Sequence, residues 1–180
     1  MLTKNGRYDI LEMDTLLGVG LLFRIGDKIV YPMHGAGIIE AIEEKEILGE
    51  KQQYYIMKMP VGNMQIMIPM EKVKNLGIRE VVDVQALERV MEILRHGELD
   101  TSMSWNRRYR KNMEKMRTGD IYEVADVVRE LMRREKEKGL STGERKMLDN
   151  ARQILLSELV LVKNINEEQA TDLLERVVNS

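Results

Sequence analysis

The stretch Arg24-Ile25-Gly26-Asp27-Lys28-Ile29-Val30-Tyr31-Pro32-Met33-His34-Gly35-Ala36-Gly37-Ile38-Ile39-Glu40-Ala41-Ile42-Glu43 decides the first half of the fold. It reads as a strand that ends at Pro32, a glycine-rich turn, and a second strand rich in β-branched residues. Working outward, Leu48-Gly49-Glu50 is a hairpin candidate. Tyr54-Tyr55-Ile56-Met57-Lys58-Met59 and Met64-Gln65-Ile66-Met67-Ile68-Pro69 flank another turn at Pro60-Val61-Gly62-Asn63. Five short strands across residues 24–76, with no room for crossover helices, predict a small curled antiparallel sheet, an SH3- or Tudor-like β-barrel.

From Asp83 the apolar period changes to that of helices. Leu87, Val90, Met91 and Leu94 share one helical face that Gly97 can close. A second helix starts near Ser104 and ends at Thr118-Gly119. Asp120 with Glu123, Ser141 with Glu144, and Asn166 with Gln169 are three capping-box-like starts. The helices they open carry the stripes Val124/Val127/Val128/Leu131/Met132, Leu148/Ala151/Ile154/Leu155/Leu159 and Ala170/Leu173/Leu174/Val177. Four or five helices with short connections predict a compact all-α bundle, and the class is α+β in two domains. The division falls at residues 22–80 and 81–180.

The charge is uneven. Residues 1–103 carry a net of −4, residues 104–163 a net of +5, and the tail from Asn164 is acidic again. A basic segment in a near-neutral chain is a local footprint rather than a generic polyanion binder. With no cysteine, disulfides, thiol nucleophiles and thiolate metal sites are excluded. The longest apolar run, from Leu16 to Phe23, is too short to span a bilayer. His34-Gly35-Ala36-Gly37 lacks the following helix that a phosphate-binding glycine loop needs, so it reads as a tight turn. His34 and His96 have no ligand spacing that predicts a metal. No nucleophile-and-base pair or phosphate cradle emerges, which points to a binding protein without a cofactor, metal or small-molecule ligand. The run Arg129, Arg133, Arg134, Lys136 and Lys138, interleaved with Glu130, Glu135 and Glu137, reads as a solvated face held by i,i+4 pairs.

Against that background Ser104-Trp105-Asn106-Arg107-Arg108-Tyr109-Arg110-Lys111 stands out. It holds the only tryptophan, followed within six residues by four cations. An indole at the start of a helix among arginines suits docking on a nucleic-acid backbone with an aromatic wedge against bases. The alternative is a core anchor beside a solvated face.

Phe23 through Gly37 followed by a barrel, then Trp105-Asn106-Arg107-Arg108-Tyr109, Gly139-Leu140-Ser141 and Arg152-Gln153-Ile154-Leu155, closely resembles the CarD/CdnL family of bacterial transcription regulators. The resemblance covers residues 22–178. It implies a barrel that binds the β subunit of RNA polymerase and a helical domain that meets promoter DNA at the upstream edge of the melted bubble. In that reading Trp105 is a minor-groove wedge, and Arg107, Arg108, Arg110 and Arg145 are phosphate or groove contacts. The chain would stabilise the open complex without reading sequence, in the cytoplasm, on the nucleoid, with no membrane partner. The polymerase-facing side matches less well, because family members often carry arginines where this chain has Lys45 and Met67. Contact through an edge strand, Tyr54 to Met59 or Met64 to Pro69, is the expected compensation, which singles out Lys45, Tyr54, Met57, Met67 and Pro69.

Residues 1–21 lie outside the resemblance and are expected to be an upstream extension from a mis-assigned start, with Leu22 as initiator. Two other readings stay open. One is a protein adaptor on polymerase, with Trp105 buried. The other is an RNA-binding barrel, disfavoured because the barrel segment is acidic.

Overall fold

The computed structural model describes residues 22–97 and 102–180, so the expectation for residues 1–21 lies outside the described part. The first half is an antiparallel sheet of β1 (Lys28–Tyr31), β2 (Gly35–Ile47), β3 (Glu50–Lys58), β4 (Gln65–Pro69) and β5 (Arg79–Glu80), ordered β4-β3-β2-β1-β5. β2 is much longer than the sequence suggests. It pairs β1 through residues 35–38 and β3 from Ile38 to Ile47, and a bulge between Ile39 and Ala41 bends it so that one strand serves both neighbours. Ile29, Ile39, Ile42, Tyr55, Met57 and Ile68 fill the concave side. The two-residue strand β5, which pairs Ile29 and Val30, carries no alternation that could announce it.

The glycine-rich turn expected over residues 34–37 lies earlier in the chain: Pro32, Met33 (φ 69°) and His34 make it, with His34 N–H donating to the Tyr31 carbonyl, while Gly35, Ala36 and Gly37 already pair with β1 as the start of β2. At the far hairpin, Leu48 and Gly49 both have positive φ, as a two-residue turn matched to strand twist requires.

Five helices follow: α1 (Val84–Arg95), α2 (Trp105–Thr118), α3 (Ile121–Lys138), α4 (Thr142–Lys163) and α5 (Glu167–Val178). Their starts are chemically specified. Asp83 and Asp120 accept N–H groups of the first turns of α1 and α3, and full capping boxes open α4 (Ser141, Glu144) and α5 (Asn166, Gln169). The predicted stripes of α1, α3 and α4 are buried in one core.

The cationic run on α3 departs from expectation. Arg129 donates to the carbonyls of Ile93 and His96, and Arg133 to that of Gly97, at the C-terminal end of α1. These carbonyls have no intrahelical partner, and two guanidiniums satisfy them where they also complement the helix dipole. Two of the five cations thus face a neighbouring helix end, Arg129 while also paired with Asp126 on its own helix, and Lys136 donates to Asn179 at the end of α5.

Sheet and bundle are joined rather than linked. α4 lies along the start of β2, where Ala36 N–H donates to Ser157 Oγ (2.8 Å) inside the joint. A Cβ at Gly35 would stand 2.7 Å from that hydroxyl, so only glycine fits at its φ of 110°. Arg79 grips Glu158 with two parallel bonds (2.8 and 3.0 Å), and Val82 N–H donates to the same carboxylate (2.9 Å). Arg79 Nε reaches the Gly119 carbonyl and Lys28 Nζ that of Leu161, so barrel side chains close on α4 and on the α2–α3 turn. Glu158 is 1% exposed, which makes this a desolvated, bidentate ion pair. Among the described residues no helix is long and apolar enough to cross a membrane.

Candidate nucleic-acid interface

Trp105 is the first residue of α2, with Ser104 at its N-cap position. Its ring is 45% exposed, so the buried-anchor reading does not apply. One helical turn on, Tyr109 stacks against it, with ring centroids 5.2 Å apart and planes 24° from parallel. The indole Nε1–H donates to Ser141 Oγ at 3.0 Å. Because Gly143 has no side chain, both rings lie close over the first turn of α4, and a Cβ there would be 3.4 Å from Tyr109 and 3.8 Å from Trp105. The N-termini of α2 and α4 therefore converge on the indole, and two helix dipoles favour negative charge there.

Behind the indole lies a buried ion network. Arg108 Nε and Nη2 donate to Glu144 Oε1 at 2.9 and 2.6 Å, and Nη1 donates to the Met103 carbonyl at 3.3 Å. Glu144 Oε2 accepts from Ser141 N–H (3.1 Å) and Ser141 Oγ–H (2.9 Å). Burial pushes the Glu144 carboxyl up, but the hydrogen bonds from Arg108 and Ser141 outweigh it and hold the group below its ordinary value. Arg134 Nε stands 3.8 Å from Glu144 Oε1 with no hydrogen-bond partner among the described residues. Two guanidiniums thus face one carboxylate, leaving an excess positive charge beneath the two helix ends.

Arg108 itself is 4% exposed, which corrects its expected role. On α2 it is four residues from Asn112 and eight from Met116, the stripe that faces the core, so its charge goes to Glu144 and not to a phosphate. Arg107, Arg110 and Arg145 are exposed and make no ion pair among the described residues. Arg107 and Arg110 line an open groove of about 650 Å³ with Asn106, Lys111 and Glu114, while Arg145 projects from the first turn of α4. Sequence reasoning overlooked Tyr109, Ser141 and Glu144 as parts of this site. The i,i+4 spacing of Trp105 and Tyr109 and the capping pair Ser141/Glu144 were the available signals.

On the sheet, the five expected contact residues separate. Met57 is fully buried in the barrel interior and Tyr54 is 6% exposed, because β3 runs between β2 and β4 and is not an edge. The expectation for the Tyr54–Met59 stretch is thereby corrected. β4 is an edge strand, and on it Met67 is 45% exposed and Pro69 half-buried. Lys45 is exposed but paired with Glu43 at 2.8 Å. No local pattern announces Ile47 (45% exposed) or Leu48 (99% exposed) at the hairpin tip, because exposure of an apolar residue there depends on how far β2 and β3 extend.

A Tudor-like sheet locked to a helical bundle thus carries an exposed apolar edge on one part and a hydrogen-bonded indole among exposed cations on the other. Among the described residues no group of three or more His, Cys, Asp or Glu could hold a metal. Residues 23–82 match the CarD-like/TRCF RID domain and residues 89–175 the CarD C-terminal domain. The chain is 56% identical over 148 residues, 82% of its length, to the "Putative transcription factor YdeB" of Bacillus subtilis (strain 168), of which the match covers 97%. The chain belongs to the CarD family of transcription factors, and its role is in transcription.

Proposed function

We propose that this protein binds the β subunit of RNA polymerase through its sheet and stabilises the promoter open complex by setting Trp105 at the upstream edge of the bubble. The observation that carries the reading is the half-exposed indole, stacked on Tyr109 and standing where two helix N-termini meet. Inserting an aromatic ring at a base step costs least where the duplex is already unstacking, so the ring binds the open complex better than the closed one. A differential affinity of about 1.4 kcal/mol shifts that equilibrium tenfold. Arg107, Arg110 and Arg145 add phosphate contacts that carry no sequence information. The polymerase contact is assigned to Met67 and Pro69 on the β4 edge, with Lys45 on β2 and the exposed Ile47 and Leu48 at the β2–β3 hairpin tip as further contact candidates.

The test is the lifetime of the open complex formed by cognate polymerase on promoter DNA. The wild-type protein should lengthen it and Trp105→Ala should not. No effect of the wild type would end the proposal. In a parallel binding assay Met67→Asp should weaken capture of polymerase about tenfold, the scale of one apolar side chain lost from an interface. Trp105→Ala should leave that capture intact.

A further inference from the structure

The contacts behind the indole form one chain, and each link has a direction. Glu144 accepts from Arg108 on Oε1, and Oε2 takes the Oγ–H of Ser141. The carboxylate is held ionised at neutral pH by those same bonds, so it can only accept. The Ser141 hydroxyl, its one hydrogen committed to Glu144, has two lone pairs left. Glu144 N–H occupies one at 3.2 Å and Trp105 Nε1–H the other at 3.0 Å. An indole nitrogen is a donor only, so it needs a hydroxyl oriented this way. The ion pair thus fixes the hydroxyl, and the hydroxyl fixes the edge of a ring whose face lies on Tyr109.

We propose that Ser141, oriented by Glu144 and Arg108, is a positioning residue that holds the Trp105 indole in one orientation before any DNA arrives. The functional value of this rests on the reading of Trp105 as the group that meets DNA. An indole free to turn must be ordered at the moment of binding. The cost of ordering one such side chain corresponds to roughly a 2- to 12-fold change in an equilibrium or a complex lifetime. Ser141, Glu144 and Arg108 remove that cost in advance, which is why a surface ring has three residues behind it.

Ser141→Gly in the full chain is the informative variant, because glycine is tolerated at an N-cap while removing the acceptor of the indole N–H. Ser141→Thr keeps both. The chain's single tryptophan makes the signal unambiguous. By NMR the indole N–H of Ser141→Gly should exchange with solvent about 3- to 10-fold faster than wild type, the scale of one net hydrogen bond, with Ser141→Thr restored. Fluorescence anisotropy of Trp105 should fall in the same variant. Unchanged exchange and anisotropy in Ser141→Gly would overturn the proposal. With polymerase and promoter, Ser141→Gly should shorten the open-complex lifetime about 2- to 12-fold and Ser141→Thr should not. A freed ring with an unaltered lifetime, in an assay where Trp105→Ala does shorten it, would also overturn it. If Trp105→Ala has no effect on lifetime, the DNA reading of the ring fails, and the exchange data alone then uphold or overturn its positioning by Ser141.

Discussion

Replacing Arg79 with methionine should separate the sheet from the bundle energetically. In the native joint Glu158 is 1% exposed and accepts three bonds, two from Arg79 at 2.8 and 3.0 Å and one from Val82 N–H at 2.9 Å. Arg79→Met deletes two of these and leaves a buried carboxylate with a single backbone donor. Breaking a buried pair by removing one partner costs about 3–5 kcal/mol. The Arg79 side chain is 29% exposed, so water can partly replace it and the lower end, about 3 kcal/mol, is the working figure. In a chain of this size that lowers Tm by roughly 6–12 °C. Urea denaturation followed by far-UV circular dichroism and Trp105 fluorescence gives both the loss and its distribution. The wild type should unfold with the two signals coincident, and the variant should show them apart. Because the damage is an orphaned charge, Arg79→Met combined with Glu158→Gln should be more stable than Arg79→Met alone. A loss below about 1 kcal/mol for the single variant, or a double variant weaker than either single, would refute the assignment of this pair as a desolvated joint.

Three further outcomes follow, two from the site and one from the joint. Arg108→Met should destabilise by about 3 kcal/mol, the low end for breaking a buried pair because Ser141 and Arg134 stay beside Glu144, whereas Arg107→Ala and Arg110→Ala should change stability by less than about 0.5 kcal/mol. In DNA binding each of the latter two should instead lower the salt slope by about 1, which titration in rising salt measures; equal stability losses for all three would contradict the burial of Arg108. The Glu144 carboxyl is depressed in the folded state, so its stabilisation is fully present above its ordinary pKa of 4.5 and is lost as pH falls through the lower folded value. Trp105 emission should therefore stay constant from neutral pH down to that region and change only below it, and Glu144→Gln should abolish the change. Gly35→Ala meets Ser157 Oγ at 2.7 Å with a strained φ, and thermal melts should show a loss of about 2–4 kcal/mol.

The parts of the fold legible in the sequence were those fixed by local chemistry. Ser141 with Glu144 and Asn166 with Gln169 specify helix starts because the two side chains satisfy each other's backbone donors, and both boxes form. The α1 stripe Leu87, Val90, Met91 and Leu94 is the buried set of that helix. What local pattern could not carry was partner choice. Arg79–Glu80 is a strand only because β1 has a free side, and Arg129 faces the end of α1 only because two helices cross there. Arg107 and Arg108 are adjacent and identical, yet one is solvent-facing and the other ion-paired in the core, since 100° of helix rotation separates them. Trp105 stands out in the sequence by its type and neighbours, while the hydroxyl that bonds its indole lies 36 positions away.

The joint between Ala36, Ser157, Arg79 and Glu158 has a further consequence under the proposed function, in which the protein grips polymerase at one end and DNA at the other. A flexible tether would spread the indole through a volume and give it a millimolar effective concentration everywhere within reach. A stiff joint concentrates it at one place and removes it from all others. Under the proposed function the chain acts as a gauge of fixed length, rewarding only those complexes in which the duplex parts at the distance that the gauge spans.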